Sequence, residues 1–189
     1  MEIIDRLDWR AIGTQLDAEG YALLPGLFDA APERALATLD AWGPTLYRHL
    51  AVIANRWHET LRLDSRFRGS AARAARAPAR LRRLGAGDYL ALGANADGGA
   101  AFPLQVVGLL SKPGEEFSGG EFLMAEQRPR MQSRPIVVPL EHLDAAIISV
   151  GGRPFPGARG VYRVNLKHGI GRVHHGERIG IELIFRGLS

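Results

Sequence analysis

Apolar residues recur at helical spacing over the first part of the chain. Asp8 is a suitable N-cap for a first helix with an apolar stripe, and Gly20 is its expected end. A short strand is predicted within residues 21–28, YALLPGLF. The chain therefore begins with a helix that leads directly into a strand.

Two further helices are predicted before residue 65. The first has Pro32 in its opening turn and ends at Gly43-Pro44. The next begins at Thr45, and its apolar positions recur at a spacing of three or four residues. His49 and His58 lie on or beside this helix, and we interpret both as surface or boundary residues rather than metal ligands.

The pattern changes after the helices, because short β-rich runs alternate with turn residues to the end of the chain. Turns are expected at the Gly and Pro clusters between these runs, including Pro154 to Gly160 and Gly169 to Gly176. Strands are predicted near 80–84, 88–93, 102–110, 120–126, 134–140, 145–150, 161–168 and 178–185. This order favours an α+β fold, a double-stranded β-helix (jelly roll) with the N-terminal helices packed on one sheet.

We expect residues 1–189 to form a single domain, since 189 residues support one sizeable core. Its parts are a helical region (1–65), an arginine-rich loop (66–83) and the jelly-roll core (84–189). No apolar run reaches about 18 residues, and the N-terminus has no signal-peptide pattern, so we expect a cytoplasmic protein with no membrane partner. The absence of cysteine excludes disulfides and thiolate metal sites.

The net charge of +4 is concentrated in the arginine-rich loop. Such a cluster either attracts an anionic substrate or nucleic acid, or forms a solvated loop. We favour the solvated loop and expect no nucleic-acid partner, because no aromatic residues for base stacking are interleaved. The arginines concerned are Arg66, Arg68, Arg73, Arg76, Arg80, Arg82 and Arg83.

His168 and Arg178 carry the first indication of chemistry. Side chains alternate along the predicted strand 161–168, and the more apolar face includes His168, which should point into the barrel. Arg178 opens the last strand, on a face shared with Glu182. An imidazole that binds a metal and a guanidinium that binds a carboxylate suit a metal-plus-dicarboxylate pocket, although this spacing alone is weakly specific.

Several short motifs strengthen this interpretation. In order and spacing they resemble a family of bacterial 2-oxoglutarate/iron(II) dioxygenases distantly related to prolyl hydroxylases. The resemblance implies a jelly roll, oxidative decarboxylation of 2-oxoglutarate and hydroxylation of a bound substrate. The motifs are GDY (87–89), FPLQ (102–105), GGEF (119–122), EQRPRMQSR (126–134), RPFPGARG (153–160) and YRVNLKHG (162–169).

The resemblance places His168 on the distal iron-binding histidine and Arg178 on the 2-oxoglutarate arginine. It also places the proximal His-x-Asp pair shortly after GDY, where this chain has Gly93, Ala94 and Asn95. Iron(II) in this chemistry needs two imidazoles and one carboxylate. We therefore predict that the iron triad is lost and expect no cofactor, with iron(II) and 2-oxoglutarate implied by the resemblance alone.

Replacement ligands are conceivable after His168. His174 and His175 follow it closely, and Asp97 is a carboxylate near the substituted pair. We prefer to interpret the two histidines as part of a solvated turn between the last two strands.

A pocket without iron still offers acid/base chemistry. His168 is the expected acid/base group, and Arg178 the group that binds an anion. Two interpretations of Glu182 stay open: a carboxylate facing an apolar barrel, suited to act as a general base, or a solvent-exposed residue at a sheet edge. The other polar residues expected to line the mouth are Tyr89, Gln105 and Glu121.

The leading hypothesis is a metal-independent, non-redox enzyme, such as a cyclase, isomerase or dehydratase, that acts on a small anionic molecule in a biosynthetic pathway. One alternative is a working iron/2-oxoglutarate hydroxylase with non-standard ligands. Another is a non-catalytic binding or regulatory module that docks an acidic partner through the arginine-rich loop. The sequence leaves the substrate, the oligomeric state and the origin of the substituted His-x-Asp pair, natural or engineered, open.

Overall fold

Two helices and a short strand form the N-terminal part of the protein. The computed structural model describes residues 3–29, 31–64, 66–68, 77–93, 102–158 and 160–185. A 3-10 helix (Ile3–Arg6) precedes α1 (Trp9–Glu19), β1 (Tyr21–Leu24) and α2 (Pro32–Thr60). The predicted ends of α1 are confirmed, since the Asp8 carboxylate accepts a hydrogen bond from the Ala11 N–H and Gly20 adopts a left-handed φ of 80°.

Helix α2 runs through Pro44 without interruption, so the predicted break at Gly43-Pro44 and the separate helix from Thr45 are wrong. Proline removes one N–H donor from the helix and crowds the preceding turn. Leu39 and Leu46, which flank the proline, are completely buried in the same core cluster. The continuous apolar face therefore outweighs the local cost of the proline.

Ten further strands form the rest of the protein. They are β2 (Arg80–Gly85), β3 (Leu90–Gly93), β4 (Leu104–Leu109), β5 (Phe117–Gly119), β6 (Phe122–Gln127), β7 (Arg134–Val138), β8 (Ala145–Ser149), β9 (Gly152–Gly157), β10 (Gly160–Ile170) and β11 (Val173–Ile184).

These strands form two antiparallel sheets. The first has the order β1-β8-β4-β11-β2 with β5 paired to β11, and the second has the order β3-β10-β6-β7 with β9 paired to β10. Val107 of the first sheet and Leu166 of the second lie in one buried cluster between the sheets. Val106 on the opposite face of β4 packs in the helical cluster. The predicted α+β jelly roll with helices on one sheet is confirmed.

Strands β5 and β9 were not predicted, and β10 and β11 are longer than expected. Pro154 and Pro156 indicate a loop in the sequence, yet they lie in β9, which pairs with β10. An edge strand accepts prolines because one of its sides needs no N–H donors. Only Gly171 and Arg172 separate β10 from β11, so most of the turn expected at Gly169 to Gly176 is strand.

One buried ion pair joins α1 to the second sheet. Glu126 and Arg153 have fully buried side chains and contact each other, while Arg128 also bonds to Glu126 at 2.7 Å. Arg153 donates a hydrogen bond to the carbonyl of Asp17 near the end of α1. The Arg153 guanidinium thus joins α1 to the second sheet, because it bonds to both. None of the helices in the described ranges is both long and apolar enough to cross a lipid bilayer.

Substitution of Arg153 by methionine should strongly destabilise the fold. The Arg153→Met change leaves the Glu126 carboxylate buried with one partner fewer, and we expect a loss of about 3–5 kcal/mol in the free energy of unfolding. Urea denaturation measures this loss, and the double variant Glu126→Gln/Arg153→Met should recover much of it. Arg134→Met is the control, because its pair with Glu19 is half exposed. A loss as small as that of the control would contradict the assigned role.

Candidate active site

His168 lies on the inner face of β10, at the point where that strand pairs with two others. Its partners in register are Met124 on β6 and Gly93 on β3. The ring stacks on Phe122 with centroids 6.0 Å apart and planes inclined by 6°. Its Nδ1 atom is buried and has no hydrogen-bond partner among the described residues. The imidazole is therefore oriented by packing, and its Nδ1 is a buried nitrogen without a partner among the described residues.

Arg178 projects from β11 into the same interior and is only 2% exposed. Its Nε donates a hydrogen bond of 2.8 Å to the Gly120 carbonyl. Gly120 has a φ of 66°, and a Cβ there would lie 2.9 Å from the Arg178 side chain, so glycine permits this close approach. Burial and the neighbouring charge of Arg82 lower the pKa of Arg178 to about 10. The group keeps its charge at neutral pH, and no described carboxylate is within ion-pair distance of it.

Glu182 is 8% exposed and is surrounded by charged groups. Its Oε1 accepts hydrogen bonds from Arg80 at 2.6 Å and from Arg82 at 2.8 Å, and Gln105 lies 3.4 Å from Oε2. The pairing of β2 with β11 brings these groups together. Glu182 therefore faces the barrel interior, as one of the two interpretations expects, but it is paired with arginines there. The alternative, a solvent-exposed residue at a sheet edge, is wrong.

These side chains enclose a small cavity between the two sheets. His168, Arg178, Glu182, Arg82 and Phe122 line a space of about 20 Å³. A cavity of this size holds about one water molecule. The space beside His168 is therefore small, and apolar residues such as Leu90, Val107 and Ile170 line it together with the charged side chains.

A second and larger cavity lies at the mouth of the barrel. Its volume is about 300 Å³, and it shares Phe122 and Arg178 with the small cavity. Arg178 thus stands at the junction of the two spaces. The remaining lining comes from the turn before β5, from β5 itself and from the end of β7, and includes Leu109, Pro113, Phe117, Val137, Val138 and Leu140.

The other predicted site residues do not meet at the small cavity. Tyr89 is 59% exposed, and the Arg172 guanidinium lies 5.5 Å from its ring centre. Glu121 is exposed and lines the larger cavity. Gln105 is buried behind Glu182 rather than at the mouth.

The remaining histidines and the substituted metal positions divide into three groups. Ala94, Asn95 and Asp97, like Arg73 and Arg76 of the arginine-rich loop, lie outside the described residues. His174 and His175 are exposed residues of β11, so the predicted turn is wrong there, although their exposure agrees with that interpretation. His58 is buried and has its ring centre 4.9 Å from that of Phe67, so its expected surface or boundary position is wrong.

Sequence reasoning missed Arg80, Arg82 and Phe122 as parts of the cleft. The segment RLRRLG does contain a usable signal, because strand alternation places Arg80, Arg82 and Leu84 on one face. That face meets the inward face of β11, where Gly180 lies opposite Arg82. These arginines are predicted to lie both in a strand near 80–84 and in the arginine-rich loop (66–83), a prediction that does not consider which partners their shared face would meet.

Comparison with known proteins identifies the family. Residues 28–187 match a family described as "Oxygenase, catalysing oxidative methylation of damaged DNA". The chain belongs to this oxygenase family. It is also 35% identical over 149 residues to an uncharacterized protein of Mycobacterium tuberculosis, a match covering 74% of this chain and 64% of that protein. The chain thus spans under two thirds of that relative's length.

Solved structures agree on the fold of this oxygenase family member. A 2OG-Fe(II) oxygenase family oxidoreductase from Burkholderia pseudomallei has a TM-score of 0.54 at 17% identity, covering 97% of this chain and 92% of its own. A prolyl-4-hydroxylase from Pseudomonas putida has a TM-score of 0.52 at 12% identity, covering 96% of both chains. Family membership suggests iron(II) and 2-oxoglutarate as cofactors, and the predicted resemblance is confirmed.

Among the residues that the structure describes, the donor set around His168 does not fit an iron(II) ion of this oxygenase type. Such an ion needs two imidazoles and a carboxylate. Gly93, directly opposite His168, has no side-chain donor, and Glu182, a carboxylate that lines the same cavity, is already bound to two arginines. Within the described ranges, no three His, Asp or Glu side chains are grouped closely enough to hold a metal.

Stability should depend on pH through His168. Burial lowers its pKa below the ordinary value of about 6.5; the charge of Glu182 partly offsets this and that of Arg82 adds to it. Below about pH 6.5 the unfolded chain therefore binds more protons at His168 than the folded protein does. The stability that the neutral, buried imidazole contributes is present above about pH 6.5 and is lost as the pH falls toward the folded-state pKa.

His168→Asn should therefore lose less unfolding free energy than the unsubstituted protein between about pH 7.5 and 5.0. Chemical denaturation at both pH values measures the difference. His142→Asn is the matched control, because His142 is exposed. Equal losses in His168→Asn and the unsubstituted protein would contradict a buried, neutral imidazole.

Proposed function

We propose that this member of the oxygenase family has lost the iron triad and acts as a metal-independent, non-redox enzyme on a small carboxylate. The observation that supports it is the register of β3 and β10, in which Gly93 lies opposite His168. The position across from His168, the one imidazole in the described lining of the small cavity, thus carries no side chain. His168 is the proposed acid/base residue, and Arg178 the proposed anion-binding residue.

His168 has the properties of a proton acceptor at neutral pH. Burial lowers its pKa, so the imidazole is neutral and its free ring nitrogen can take a proton from a bound molecule or a water. The charge of Glu182 raises the pKa of His168 and so stabilises the imidazolium once the proton has moved. Glu182 thereby adjusts the pKa of His168, while Arg80 and Arg82 hold the Glu182 carboxylate in place.

Arg178 has the properties of a carboxylate-binding group. Its charge is buried, its Nε is held by the Gly120 carbonyl, and the residue lines both cavities. A guanidinium of this kind binds a carboxylate through two parallel hydrogen bonds. A substrate anchored there presents its neighbouring atoms to the space beside His168. Cyclisation, isomerisation and dehydration each need such a proton transfer without electron transfer.

The main alternative is a working oxygenase with non-standard ligands, which the family description favours. It predicts that His168→Ala abolishes both iron binding and oxygen consumption. The family's described action on DNA finds less support, because Arg80 and Arg82 are both paired with Glu182. The third hypothesis, a binding module, predicts that function survives the double change His168→Ala/Glu182→Ala.

Iron binding separates the first two hypotheses. After anaerobic reconstitution with iron(II), we expect far less than one iron per chain and no conversion of 2-oxoglutarate to succinate, because one imidazole and an engaged carboxylate are a poor donor set. Metal analysis and succinate quantification measure both. One iron per chain together with 2-oxoglutarate-dependent succinate formation would refute the proposal.

Restoring the two side chains should restore the metal. Among the described residues, a Cβ at Gly93 meets nothing nearer than the Ala91 carbonyl oxygen at 3.9 Å, so the first atom of a side chain is accommodated there. We expect Gly93→His/Asn95→Asp to bind close to one iron per chain. The same double change in a His168→Ala background is the control, and we expect it to lose the iron binding. Failure of the double variant to gain iron would contradict the assignment of these positions.

A further inference from the structure

The larger cavity at the barrel mouth indicates which carboxylates fit this site. We propose that the substrate is a monocarboxylic acid with an apolar body, its carboxylate at Arg178 and its body in the 300 Å³ cavity. This deepens the proposed function and rests on it.

The charge at the junction favours a single carboxylate. Arg80 and Arg82 are both engaged by Glu182, which leaves Arg178 as the cation without a carboxylate among the described cleft residues. Its buried positive charge is best balanced by one negative charge. A second carboxylate on the ligand would meet no free cation in the described lining of either cavity.

The lining of the larger cavity favours an apolar body. Apart from Arg178, its polar side chains are Ser118 and the exposed Glu121, and the remainder is aliphatic, aromatic, proline or glycine. Glu121 would repel a second carboxylate in this space. Ligand pockets of about 300 Å³ or more, with mainly apolar walls and one oriented charge, are typical of small-molecule sites.

The small cavity sets where the ligand can lie. About 20 Å³ beside His168 accommodates one water-sized group and excludes a five-carbon dicarboxylate. The bulk of a ligand anchored at Arg178 must therefore extend outward into the larger cavity. Only a small group of it, or a water, reaches the imidazole.

Binding of three simple probes tests this proposal. The probes are 4-phenylbutyrate, which has both features; glutarate, a dicarboxylate without the apolar body; and 4-phenylbutan-1-ol, which lacks the charge. By isothermal titration calorimetry at pH 7.5 we expect 4-phenylbutyrate to bind at least tenfold more tightly than either of the others. Arg178→Gln should weaken its binding at least tenfold, and Arg178→Lys should weaken it less.

The apolar cavity is tested by Val137→Asn, which places an amide on a residue that lines it and is 57% exposed. We expect several-fold weaker binding of 4-phenylbutyrate. Val161→Asn is the matched control, because Val161 is 51% exposed on β10 and lies outside this cavity, so its affinity should be unchanged. Thermal denaturation of each variant confirms folding, and Arg178→Lys with Val137→Asn suffices if Arg178→Gln does not fold.

Glutarate binding as tight as 4-phenylbutyrate, no binding of 4-phenylbutyrate, or binding that none of the lining substitutions affects would overturn the inference. The two proposals fail separately. Stoichiometric iron with 2-oxoglutarate turnover, together with Arg178-dependent binding of 4-phenylbutyrate, would refute the metal-independent function while leaving the substrate class intact.

Discussion

The candidate site depends on the alternation of side chains along the two longest strands, β10 and β11. They follow each other in the chain, yet each is paired within a different sheet. Their inward residues therefore approach from opposite walls of the barrel, with His168 on one wall and Arg178 and Glu182 on the other. A shift of either strand by one residue would turn these groups outward.

The charged side chains inside the barrel determine which chemistry the site supports. Glu182 binds Arg80 and Arg82, and this ion-pair group occupies space that a ligand would otherwise use. Two groups remain for chemistry: the imidazole of His168, whose pKa burial lowers, and the guanidinium of Arg178, which has no carboxylate partner among the described residues and lines both cavities. Both suit proton transfer to or from an anchored acid. The register opposite His168 supplies no second metal donor, since residue 93 is glycine.

Patterns that are local in sequence predicted the fold well. The caps of α1 at Asp8 and Gly20 and the inward direction of His168 all follow from residues within one element. The features that the sequence did not predict depend on contacts between distant segments. Helix α2 continues through Pro44 because both of its halves pack on the same sheet, and β9 forms despite two prolines because it is paired at an edge.

The candidate site was likewise predictable only where it depends on patterns that are local in sequence. Arg178 and Glu182 share a face by alternation alone, but the partners of Glu182 depend on the register of β2 against β11, which joins residues about one hundred positions apart. The sizes of the two cavities depend on side-chain packing from several strands. Neither the register of β2 against β11 nor the cavity sizes can be read from a local sequence pattern.

The central claim is that the groups around His168 do not hold a metal ion. Nuclear magnetic resonance of the ¹⁵N-labelled imidazoles, with the His168 signals assigned by His168→Asn, tests it most directly during an anaerobic titration with cobalt(II), a paramagnetic substitute for iron(II). The account predicts that one equivalent of cobalt(II), with or without 2-oxoglutarate, leaves the His168 resonances unshifted and sharp. Loss or a large paramagnetic shift of those resonances at one equivalent would contradict it.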